Sequence, residues 1–196
     1  MNNDIKHVCV YCASSSKISS VYQEAATELG HLLAQNQQAC ICGAGFQGLM
    51  KILSDAVMEN NGKVIGIIPR FMYEEGWGND SLSELIVTET IHERKEKMAA
   101  LSDAVIALPG GCGTMEELLE IITWKQLGLF NGLVIILNTN GYYDPLLTML
   151  DKSIHENFMR KELADCWMVA SNPDEAIRFI LSTKEDLKNL RKFAVL

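Results

Sequence analysis

Ten consecutive residues, Leu108-Pro109-Gly110-Gly111-Cys112-Gly113-Thr114-Met115-Glu116-Glu117, bring together three glycines, a hydroxyl, a thiol and two carboxylates. They stand between an apolar run, Ala104 to Leu108, and a segment whose apolar residues have helical spacing (Leu118, Leu119, Ile121, Ile122, Trp124, Leu127). A strand, a glycine turn and a helix start in that order gather backbone N–H groups and the positive end of a helix at one place. That is the chemistry of a phosphate or other anion site, and glycine lets the backbone come close to the ligand.

Thr114 has two readings. Its hydroxyl can donate to a phosphate oxygen, or Thr114-x-x-Glu117 can form a capping box in which Glu117 folds back to the Thr114 N–H. Glu117 is accordingly either a cap or a reacting carboxylate. Glu116 reads as a solvated first-turn acid favoured by the helix dipole. Cys112, at the helix start, reads as a nucleophile or as a tolerated small side chain. No motif ties His7, His31, His92 or His155 to it.

Three other features belong at the same sheet edge: the Ser14-Ser15-Ser16 turn, the Gly43–Gly48 turn, and Arg94-Lys95 near a helix start. Gly43-Ala44-Gly45-x-x-Gly48 has dinucleotide-fingerprint spacing, but no ribose-binding acid ends the next strand, where Ile67-Ile68-Pro69 stands. It reads instead as a tight strand–helix turn with some ligand contact. Over 92–101, Arg94, Met98 and Leu101 share one helix face, while Glu93 and Lys97 are spaced for an outward ion pair. Arg94 and Lys95 can be merely solvated; an apolar stripe that includes Arg94 argues against that.

To position these groups, strands are expected over 7–13, 38–42, 63–68, 84–90, 104–108, 133–137 and 167–170. Helices are expected over 19–35, 49–60, 92–101, from the glycine loop onward, over 143–158, and from Pro173 to about 190 behind Asn172 as N-cap. Residues 70–83, with Gly76, Trp77 and Gly78, read as a long irregular segment. Alternating strands and helices imply an α/β fold, a Rossmann-like doubly wound parallel sheet with ligands at the carboxyl ends of its strands. The 196 residues read as a single domain, 1–196, burying roughly 70% of the unfolded surface.

The net charge of −8 argues against nucleic acid or an anionic membrane as partner. No apolar run nears the ~20 residues that span a bilayer, and no leader precedes the first strand, so the expected location is cytoplasmic. Cys9, Cys12, Cys40 and Cys42 lie in strand-like runs rather than the tight turns of zinc sites. They read as buried thiols of a reducing compartment, with no metal.

The chain resembles the LONELY GUY (LOG) family, cytokinin riboside 5′-monophosphate phosphoribohydrolases whose relatives are often labelled lysine decarboxylases. The likeness rests on Ile91-His-Glu-Arg-Lys-x-x-Met98, Ser102-Asp-Ala104, the 108–117 loop, Thr123-Trp-Lys-Gln-Leu-Gly128 and Asn138-x-x-Gly-Tyr-Tyr-Asp-Pro145. Upstream, Cys9-Val-Tyr-Cys-Ala-Ser-Ser15, Gly48-Leu-Met50 and Val64 to Pro69 also fit. The resemblance implies hydrolysis of the N-glycosidic bond of an adenine-type nucleoside 5′-monophosphate, AMP or a cytokinin form, to free base and ribose 5-phosphate without cofactor. It implies Arg94 and Glu117 as the catalytic pair. Substrate contacts are implied at Lys95, Gly110, Gly111, Cys112, Gly113, Thr114, Met115, Glu116 and Thr123, with Ser14 and Ser15 nearby. It further implies a homodimer with the site close to the subunit contact, and a base-side glutamate at Glu74 or Glu75. Four positions depart from the family pattern: Ala13, Ala44 and Lys51 stand where glycine is common, and Cys112 where an aromatic is usual. The competing readings are a non-catalytic nucleotide-binding or carrier protein of the same fold, and an NAD-dependent oxidoreductase.

Overall fold

In β1 (His7–Tyr11), Val8 and Val10 point to one face of the sheet and Cys9 and Tyr11 to the other, and none is more than 3% exposed. A strand buried on both faces needs helices above and below it, and parallel pairing supplies them through its crossovers. The structure, a computed structural model, describes residues 5–182. Its other strands are β2 (Ala39–Cys42), β3 (Val64–Pro69), β4 (Glu84–Thr88), β5 (Ala104–Ala107), β6 (Leu133–Leu137) and β7 (Met168–Ala170). All pairings are parallel, in the order β4-β3-β2-β1-β5-β6-β7. The chain runs outward from β1 to β4, then returns to lay β5 on the other side of β1. The switch point therefore lies between β1 and β5, where ligands of such sheets bind.

One face of the sheet carries α1 (Ser20–Gln35), α2 (Gly48–Glu59) and α7 (Pro173–Ser182), which bury Leu29, Leu33, Leu53, Val57 and Ile177. The other carries α4 (Ile91–Ala100) and α5 (Cys112–Leu127) through Met98, Leu118, Ile121 and Ile122, with Tyr143 and Leu163 in the same layer. This is the expected doubly wound α/β fold.

Several boundaries differ from expectation. Residues 70–83 open with one helical turn, α3 (Arg70–Glu74), because Pro69 sets the preceding backbone extended and nothing from 70 to 74 breaks a helix. The rest of that segment is tied back by a Gly45–Gly78 bridge and by the Asn79 N–H on the Ala44 carbonyl at 2.8 Å. Ala44 itself sits at φ 58, the left-handed region that favours glycine. α6 (Asp144–His155) ends earlier than 158, and Asn157 follows in a left-handed turn. α7 starts as expected, with the Glu175 N–H on the Asn172 side chain at 2.9 Å; its expected end near 190 lies outside the described residues.

Cys9, Cys12, Cys40, Cys42 and Cys166 are buried free thiols, and burial pushes those of Cys9 and Cys12 up. Cys112 is exposed. No helix among the described residues is long and apolar enough to cross a membrane.

Candidate active site

α5 begins at Cys112 with Gly111 as N-cap, and its first intrahelical bond runs from the Met115 N–H to the Gly111 carbonyl at 3.0 Å. The N–H groups of Cys112, Gly113 and Thr114 therefore have no acceptor within the helix. No side chain caps this end. The Thr114-x-x-Glu117 capping box is overturned, because the helix starts too early: Thr114 is its third residue, not its N-cap. Thr114 is instead buried against Gly110, where any Cβ would collide with its side chain. A related cap, one residue wider than the box, forms one helix earlier. Thr90 caps α4 by accepting the Glu93 N–H at 3.0 Å, and Glu93 reaches back to the Glu89 N–H at 2.8 Å. That use of Glu93 replaces the expected Glu93–Lys97 pair.

Glu117, freed from capping, faces Arg94. Arg94 Nη1 lies 2.6 Å from Glu117 Oε1, and both side chains are 12% exposed. Arg94 Nε donates to the Ile67 carbonyl of β3 at 3.1 Å. A Cβ at residue 43 would collide with the guanidinium, so glycine at the end of β2 is what admits Arg94 to this position. Burial raises the Glu117 carboxyl above its ordinary value, and the nearby guanidinium only partly opposes it.

The pair looks into a cavity of about 300 Å³ at the β1/β5 switch point. Of the sequence-derived candidates, Ser14, Arg94, Gly111, Cys112, Gly113, Thr114 and Glu117 line it. Gly43, from the glycine turn expected to make some ligand contact, also lines it, as do Val10, Tyr11, Cys12, Ala13, Met50 and Met98, which were not singled out as ligand contacts from sequence. The positions of Gly43 and the β1 end beside the Ser14 turn were the available signal.

The other candidates lie elsewhere. Met115, Glu116 and Thr123 line a separate groove of about 680 Å³ on the outer side of α5, with Leu119, Glu120 and Trp124; Cys112 borders both spaces. Thr123 returns its hydroxyl to the Leu119 carbonyl at 2.8 Å. Lys95, although adjacent to Arg94, is turned away from the cavity. It is 6% exposed and bonds Glu116 at 2.5 Å and Glu120 at 3.0 Å. Glu116 is thus paired as well as solvated. Ser15 accepts the Lys17 N–H at 3.2 Å and, like Glu74 and Glu75, is outside the lining.

Behind the glycine loop stand two tyrosines. The Tyr143 hydroxyl, buried, donates to the Leu108 carbonyl at 2.7 Å, and that of Tyr142 to the Gly110 carbonyl at 2.6 Å. Asn138 accepts the Tyr143 N–H and donates to Asp144, both at 2.7 Å, which secures the turn that carries them.

Residues 50–180 match the family model described as "Possible lysine decarboxylase". The chain is 42% identical over 173 residues to cytokinin riboside 5′-monophosphate phosphoribohydrolase LOG5 of Arabidopsis thaliana, covering 88% of this chain and 76% of that one. It is 39% identical to LOG2 of the same plant, covering 89% and 82%, and 42% identical to the probable phosphoribohydrolase LOGL2 of rice, covering 88% and 70%. Among solved structures, the molybdenum cofactor carrier protein of Chlamydomonas reinhardtii shares the fold with a TM-score of 0.69 at 21% identity, covering 91% of this chain and 99% of that one. The molybdenum cofactor binding protein of Rippkaea orientalis does so at 0.69 and 22%, covering 92% and 98%.

Proposed function

Because the chain belongs to the LONELY GUY (LOG) family, we propose that it is a nucleoside 5′-monophosphate phosphoribohydrolase acting on cytokinin riboside 5′-monophosphates, AMP or both. One observation carries this reading: the buried Arg94–Glu117 pair and the uncapped start of α5 face the same cavity. The helix start supplies an anion site, and the carboxylate follows on the next turn of the same helix. A 5′-phosphate on the N–H groups of residues 111–114 would fix the ribose by remote binding energy.

In the reaction the C1′–N bond breaks, its electron pair leaves with the base, water adds its oxygen to C1′, and the proton that water loses is matched by one that the base takes up from solvent. The oxocarbenium-like state between these events is positive, so ionised Glu117 stabilises it or takes the proton of the attacking water. Arg94 remains a cation and is no proton donor; it orients Glu117 and favours its ionised form, in part opposing the effect of burial. No lysine is among the residues lining the cavity, which supports hydrolysis over decarboxylation through a lysine-bound pyridoxal phosphate.

The whole chain, 1–196, is one such domain. Its buried free thiols suit a reducing cytoplasm. Exposed Leu119, Leu127 and Leu129 on and just after α5, beside the outer groove, suit a homodimer whose contact lies close to the site.

The test is a product assay with the pure protein on AMP and isopentenyladenosine 5′-monophosphate. Free base and ribose 5-phosphate are expected from at least one. Saturable binding of both with no base released would instead establish a nucleotide carrier and overturn the hydrolase.

A further inference from the structure

We propose that Tyr142 is a positioning residue for the substrate phosphate, acting as a lock on one peptide plane of the glycine loop. The inference rests on the hydrolase reading. Tyr142 lies outside the cavity lining, and its hydroxyl donates to the Gly110 carbonyl at 2.6 Å. The Gly110–Gly111 peptide is trans, so its C=O and N–H point in opposite directions. Holding the carbonyl toward Tyr142 turns the Gly111 N–H to the other side, and Gly111 lines the cavity. The plane joins two glycines, which makes it the easiest in the loop to flip. A flip would present a carbonyl oxygen to the phosphate where a donor is needed.

Tyr142 is itself well held. Its ring packs edge-on against Tyr22 of α1, with centroids 5.8 Å apart, and against Tyr143 at 5.1 Å. Phenylalanine at 142 would keep both contacts and lose only the hydroxyl. Tyr143 provides an internal contrast. Its hydroxyl holds the Leu108 carbonyl, but the next nitrogen belongs to Pro109 and carries no hydrogen. That bond steadies the loop without aiming a donor.

The experiment measures ribose 5-phosphate binding by calorimetry, with kcat and KM on whichever monophosphate the wild type cleaves. For Tyr142→Phe, ribose 5-phosphate affinity should fall roughly 5- to 20-fold and KM rise in parallel, because apparent affinity scales with the fraction of loops in the donor orientation. Its kcat should change by less than about 3-fold, and cleavage of the nucleoside lacking phosphate should be unaltered. Tyr143→Phe should lower Tm and leave the ribose 5-phosphate affinity within about 2-fold. Unchanged affinity in Tyr142→Phe, or equal weakening in both variants, overturns the lock while leaving the hydrolase standing. A wild type that neither binds ribose 5-phosphate nor releases base overturns both.

Discussion

Arg94–Glu117 and Lys95–Glu116 are ion pairs made by consecutive residues of the same two helices, yet they serve opposite sides of α5. The first is closed off, with both side chains 12% exposed and lining the cavity. The second has a buried ammonium but open carboxylates, Glu116 at 57% and Glu120 at 27% exposed. The balance of forces differs accordingly. Around Lys95, burial is the largest single influence and lowers the ammonium, yet the bonds and charges of two carboxylates together outweigh it and leave it raised. At Glu117 one guanidinium does not offset burial, and the carboxyl is raised. A poised carboxylate arises where a pair is buried and short of partners; a clamp between helices arises where partners are in excess.

The largest effect expected from breaking this contrast is on turnover. Glu117→Gln keeps the size and the bond to Arg94 but removes the charge, and should lower kcat about 10³-fold in the base-release assay. Glu116→Gln should cost less than about 10-fold. Equal losses would mean that the two pairs are not functionally distinct.

The pH dependence sharpens the contrast. In the proposed mechanism Glu117 acts ionised, so the acid limb of kcat/KM should lie above the usual carboxylate value of 4.5. Arg94→Gln removes a lowering influence and should move that limb further up. Stability has the opposite sense. A carboxyl raised in the folded state contributes stability that is complete below its unfolded pKa and is lost as pH rises through the folded one. As pH rises above 4.5, the Tm of the wild type should therefore fall relative to that of Glu117→Gln.

The smallest effects concern the clamp. Glu116→Gln with Glu120→Gln strands a buried ammonium and should cost about 3 kcal/mol in urea unfolding. Lys95→Met removes the charge together with its need for partners and should cost about 1 kcal/mol or less.

Much of this was legible in the chain because it depends on local pattern. Alternation within strands such as Val8 to Tyr11 and the strand–glycine–helix order at 104–118 indicated the doubly wound sheet and a helix start directly behind the glycines. Arg94 sharing a stripe with Met98 marked it as inward-facing. Lys95 was less legible: one residue later is about 100° further round the helix, and that turns it onto the outer side of α5. The Thr-x-x-Glu pattern occurs at both 90–93 and 114–117, and only the observed helix starts decide which is a cap. Gly43 making room for Arg94 and Tyr142 holding Gly110 are approaches between distant segments, the latter 32 residues apart. No local spacing encodes them.

The exposure of Cys112 gives the molecule a built-in reporter. Its other five cysteines are buried, so a mild thiol-reactive fluorophore has one accessible point of attachment, on the residue shared by the cavity and the outer groove. Dye emission from that position would register the filling of either space, and the rate of labelling would register how far a bound anion shields the start of the helix.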